Sequence, residues 1–104
     1  MVLESANDLK AMMDNIAFSL SLFSGQMCTC PQNIFIPEDG ITVAGNKISY
    51  ADTIQALADS VRGLVTHEKM GPGTLGAIQS DITFNRVKEA QAMGMKVILE
   101  SRFV

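Results

Sequence analysis

The sequence is short of the residues that usually announce a chemistry. It has no tryptophan, one tyrosine, one histidine and two cysteines, and only 18% of its 104 residues are charged. A lone histidine, His67, is a poor start for zinc, which takes four ligands at recognisable spacing. Two cysteines, Cys28 and Cys30, cannot supply the framework of a disulfide-stapled secreted domain. A cytoplasmic, reducing setting fits them better. Long apolar runs are missing too. The best of them, Ile16 to Ser24, is too short for a bilayer span, and Glu4, Asp8 and Asp14 place acid where a signal peptide needs base. No membrane partner is expected.

Charge of either sign is thin. Eight Lys and Arg against 11 Asp and Glu give a net charge of −3. The basic residues are scattered, so the clustered footprint that holds a phosphate backbone is absent, which argues against a nucleic-acid partner. With 47% hydrophobic residues on a chain of this size, some apolar surface should stay outside the monomer core. A homo-oligomer is the simplest cover.

What is present is periodic. Val2, Ala6, Leu9, Met13, Ile16, Leu20 and Phe23 repeat at alternating spacings of four and three, which predicts one helix from Val2 to Phe23 ending at Gly25. On its far side Phe18 and Leu22 project beside Ala11 among polar neighbours, so these three residues are the expected interface with a second chain. Asn33–Ile36 suggests an edge strand closed by Pro37. Ile41–Val43 and Lys47–Tyr50 predict a hairpin, with Gly45 and Asn46 as the residues able to take positive φ.

A second helix follows, capped by Ser49 and carrying Ile54, Leu57, Ala58, Val61, Leu64 and Val65 on one stripe. It should end near Lys69, because Gly71-Pro72-Gly73 disfavours continuation. Thr74 to Met93 is helical, either as one helix buried on two faces or, the favoured reading, with a break at Gln79-Ser80-Asp81, and Met95–Leu99 reads as a closing strand. The order α-β-β-α-α-β predicts a single α+β domain over residues 1–104: a small, mostly antiparallel sheet, hairpin plus C-terminal strand, against about three helices.

Three stretches could hold chemistry. Gly71-Pro72-Gly73-Thr74-Leu75-Gly76 spells a dinucleotide fingerprint, but a helix and not a strand precedes it, and Pro72 removes an N–H. It reads as a connector, and no cofactor is expected. Cys28 and Cys30, with His67, could begin a soft-metal or thiol site, though further ligands are lacking. His67 reads better as a cation at the last turn of the second helix. Residues 75–94 have a helix-turn-helix flavour, with Arg86 and Lys88 as the residues that would meet nucleic acid, yet the helix start holds Asp81, Ile82 and Phe84.

No catalytic constellation emerges. The expectation is a small non-enzymatic interaction or assembly module, homo-oligomeric, of a kind common among accessory and phage-encoded proteins. A nucleic-acid-binding regulator and a thiol or metal protein are the alternatives.

Overall fold

Asp8 decides where the first helix begins. Its backbone is extended and its carboxylate accepts a hydrogen bond from the Ala11 N–H at 3.1 Å, so α1 spans Leu9–Ser21. The computed structural model, which describes residues 1–26, 28, 30–75 and 80–97, thus corrects the expected helix from Val2 to Phe23. Val2 and Ala6 belong to extended chain. Ser5–Ala6 is strand β1, and Val2 makes an isolated parallel bridge to Phe35. A two-residue strand is too short to display a period of its own, so its apolar residues fell in step with the helix behind it.

β1 pairs in parallel with β2 (Ile41–Val43), placing Ser5 opposite Thr42 and Ala6 opposite Val43. A parallel pair needs a crossover, and α1 lies within it. β2 pairs antiparallel with β3 (Asn46–Ile48), giving the order β1-β2-β3. Among the described residues the fold is therefore α+β, with a three-stranded mixed sheet and four α-helices. The antiparallel hairpin foreseen from the sequence is present, but the parallel strand ahead of α1 makes the sheet mixed and not mostly antiparallel. The expected edge strand Asn33–Ile36 shrinks to the one bridge at Phe35, whose N–H donates to the Met1 carbonyl at 2.8 Å and whose carbonyl accepts from Leu3 N–H at 2.9 Å.

The hairpin turns at Ala44 and Gly45, with φ of 48° and 84°, one residue earlier than expected. Two consecutive positive φ values are what a two-residue hairpin loop demands. Pairing stops at Ile48 because Ser49 is already the cap of α2 (Tyr50–Val65), its hydroxyl accepting from Asp52 N–H at 3.2 Å. Gly40 sits at φ 92° against the Ile48 carbonyl, where a Cβ would clash with backbone.

Leu3, Met13, Ile16 and Ile41 form the buried core, with Leu20, Ile34, Ile48 and Leu57 packed around it. Met13 and Ile41 are fully buried, each worth about 1.5–3 kcal/mol in area removed from water. Thr53 is a fully buried polar residue. Its hydroxyl donates to the Ser49 carbonyl at 2.8 Å, which satisfies a group that would otherwise be costly to bury.

The C-terminal region departs further from expectation. α2 ends at Val65, not Lys69, and α3 (Met70–Thr74) takes in the Gly71-Pro72-Gly73 run that looked unable to be helical. Pro72 stands in the first turn, where a missing N–H leaves nothing unpaired. Gly71 is buried where a Cβ would clash with the Val65 carbonyl. α4 (Asp81–Ala92) begins after Ser80, whose extended backbone makes the expected break, though its side chain forms no capping bond. Met95–Val97 of the foreseen closing strand are not in a strand; Ile98 and Leu99 lie outside the described residues.

Candidate functional site

Where α1 stops, the backbone turns left-handed for three residues in a row. Phe23, Ser24 and Gly25 have φ of 51°, 58° and 75°. Only glycine takes this conformation freely; each of the other two costs roughly 1–2 kcal/mol. Hydrogen bonds tie the segment down. Gln26 donates to the Phe23 carbonyl through its backbone N–H at 3.3 Å and its side-chain Nε2 at 2.9 Å. The Gly25 carbonyl accepts from Cys30 Sγ and from Gln32 Nε2, both at 3.0 Å. Gln32 Nε2 also donates to Cys30 Sγ at 2.8 Å.

This clasp treats the two thiols differently. Cys30 is half-buried and already engaged by Gly25 and Gln32, whereas Cys28 is exposed. Both are free thiols. The result is a loop, entered through a strained turn and closed at its base, that presents Cys28 to solvent. A thiol is the strongest nucleophile a side chain offers near neutral pH, and access decides which thiol reacts.

The metal reading of Cys28, Cys30 and His67 is not assembled. Among the described residues no group of three or more His, Cys, Asp and Glu side chains comes together. His67 is occupied elsewhere: its Nδ1 accepts from Lys69 N–H at 3.2 Å and Met70 N–H at 3.1 Å. Its Nδ1 therefore serves the start of α3 as a hydrogen-bond acceptor and not the last turn of α2. The fingerprint match at Gly71–Thr74 is helical and follows a helix, so it forms no phosphate cradle; Gly76 lies outside the described residues. Arg86 and Lys88 lie on α4, where the Lys88 ammonium sits 4.3 Å from the Phe84 ring centroid.

Of the expected interface residues, Ala11 is exposed, Leu22 lies past the end of α1, and Phe18 is 47% exposed. Phe18 lines an open groove of about 570 Å³ between α1 and α2, with Met13, Leu64 and Met70. Polar residues bridge the same two helices. Asp14 accepts from Ser60 Oγ at 2.9 Å and from Lys10 Nζ at 2.5 Å. The Lys10 bond, then the Ser60 bond, hold the Asp14 carboxyl below its ordinary value, and the Asp14 bond raises Lys10.

The comparison with known proteins decides between the readings. Residues 1–102 match the aldehyde dehydrogenase family. The chain belongs to that family. It is similar to the crystal structure of an NAD-dependent aldehyde dehydrogenase from Burkholderia multivorans, at 46% identity and a TM-score of 0.80. That match covers 88% of this chain and 16% of the other, so the chain spans about a sixth of that relative's length. No curated protein matches.

Membership of an enzyme family overturns the non-enzymatic assembly module, and with it the accessory or phage-type protein, the nucleic-acid regulator and the stand-alone thiol or metal protein. The reason the sequence misled is local. Two cysteines standing together suggest metal ligands, and no neighbouring base or acid in the sequence marks one of them as a nucleophile. Gln32 and Gly25, which engage Cys30, carried no signal at all. No helix among the described residues is long and apolar enough to cross a membrane.

Proposed function

We propose that this chain supplies the thiol nucleophile of an NAD-dependent aldehyde dehydrogenase, and that Cys28 is that nucleophile. The observation that carries the reading is the contrast within the loop: Cys28 exposed, Cys30 clasped by Gly25 and Gln32. An aldehyde carbon does not readily give up hydride while it is a planar carbonyl. Addition of a thiolate to the carbonyl carbon breaks the C=O π bond and makes the carbon tetrahedral, with the electron pair resting on oxygen; an oxidised nicotinamide, where bound, would accept the hydride from that adduct. The family membership and the relative's name support aldehyde and NAD as the reactants.

The described residues do not fit a dinucleotide: the one glycine-rich run is helical and lacks a preceding strand. The step assigned here is therefore limited to addition of the Cys28 sulfur to the aldehyde carbon. A thiolate that must stay reduced fits a cytoplasmic setting. The exposed apolar side chains, Phe18 among them, fit a homo-oligomer or packing against the remainder of a longer enzyme.

The test is aldehyde-dependent appearance of the reduced dinucleotide by the enzyme that contains this chain. Cys28→Ser should abolish turnover, and Cys30→Ser should leave most of it. Activity surviving in Cys28→Ser would refute the assignment.

A further inference from the structure

Three hydrogen bonds close a triangle across the base of the loop. The Gln32 side-chain amide donates to the Gly25 carbonyl at 3.0 Å and to the Cys30 sulfur at 2.8 Å. That sulfur donates in turn to the same carbonyl at 3.0 Å. The capacities match: an amide NH2 has two hydrogens, a carbonyl oxygen two lone pairs, and a thiol is both a weak donor and a weak acceptor. Gln32 supplies two of the three sides. Its bond to Gly25 joins residues seven positions apart, and Cys28 stands within the span it closes.

The carbonyl at the centre of this triangle belongs to backbone that is costly to hold. Phe23 and Ser24 are left-handed without being glycine, and Gly25 follows in the same conformation. Such a turn persists only where its surroundings hold it. Before Cys28, the Gln26 amide grips the Phe23 carbonyl at 2.9 Å; beyond Cys28, Gln32 grips that of Gly25.

We propose that Gln32 is a positioning residue for the reaction of Cys28 with an aldehyde, acting by tying together the ends of the loop that carries the thiol. The inference rests on Cys28 being the nucleophile. Addition to a carbonyl needs sulfur to reach carbon along a narrow approach, and a loop with untied ends spends little of its time there. The Gln32 amide removes that freedom before the aldehyde arrives. The role belongs to its hydrogens and not to its bulk. A carboxylate of the same shape has no hydrogen to give, and would set oxygen against the Gly25 carbonyl and open the triangle.

The experiment compares Gln32→Ala and Gln32→Glu with the wild type in the enzyme that contains this chain. It follows the melting midpoint, aldehyde-dependent kcat and KM, and iodoacetamide labelling of Cys30 located by peptide mapping. Both variants should melt with the wild type, because Gln32 is exposed and outside the core. Both should lower kcat about tenfold with KM within about twofold, as expected when a nucleophile is misplaced and substrate binding is kept. Both should also speed labelling of Cys30 in the folded enzyme at least about tenfold, since its sulfur is released. An unchanged kcat or unchanged Cys30 labelling in Gln32→Ala would overturn the proposal. So would a loss confined to KM, or a fall in melting midpoint that accounts for the lost activity. Wild-type behaviour of Gln32→Glu would reduce Gln32 to a space-filler and overturn it as well. Turnover surviving in Cys28→Ser is a separate result, which strikes the nucleophile itself and leaves the Cys30 labelling arm as it is.

Discussion

Between the sheet and the first two helices, a set of apolar side chains is buried together: Met13 and Ile41 are fully buried, and Leu3 and Ile16 pack with them. In α4 no such set forms. Ile82 is 64% exposed and Val87 46%, and the helix has no buried residue. Both regions contain regular helices. The difference shows that a helix can form without burying its apolar side chains, and that burial depends on what packs against it. A chain spanning 16% of its relative's length carries only part of such a protein's packing surfaces. The exposed apolar side chains of α4 fit the packing proposed above, against the remainder of a longer enzyme or a second copy.

The contrast can be broken most forcefully at its extremes. Ile41→Ala should cost about 2–5 kcal/mol in chemical denaturation, since it removes a fully buried side chain at the meeting of sheet and helices. Ile82→Ala should cost under about 0.5 kcal/mol in the isolated chain. Equal losses at the two sites would mean that α4 is packed in solution and that the comparison is void.

A smaller effect sharpens the same contrast at the helix starts. Asp8→Ala removes the acceptor for the Ala11 N–H and should cost about 1 kcal/mol. Ser80 stands at the equivalent position of α4 without a side-chain capping bond, so Ser80→Ala should leave the denaturation midpoint within error. A loss at Ser80 matching that at Asp8 would show that α4 is capped and contributes to the cooperative fold.

Much of this architecture was legible in the residues. Ser49 before a clean apolar stripe gave α2 its start, and the two β-rich runs around Ala44–Asn46 gave the hairpin, because caps and tight turns depend on side chains a few positions apart. The parallel strand β1 was not legible. Its partner, β2, lies far along the chain (Ser5 opposite Thr42), and nothing within Ser5–Ala6 names it. Nor was the helical turn at Gly71-Pro72-Gly73, which depends on the Val65 carbonyl lying too close for any side chain at Gly71. The site was half legible. Cys28 and Cys30 stood out as the only thiols, but which one is offered to a reactant is settled by Gly25 and Gln32, through bonds no spacing reveals.

The most direct measurement is substoichiometric alkylation of the folded, reduced chain with iodoacetamide, with the labelled cysteine located by peptide mapping. The account predicts that Cys28 carries nearly all of the label while Cys30 reacts only after unfolding. Label appearing first on Cys30, or divided evenly between the two, would contradict the assignment of Cys28 as the thiol this loop presents.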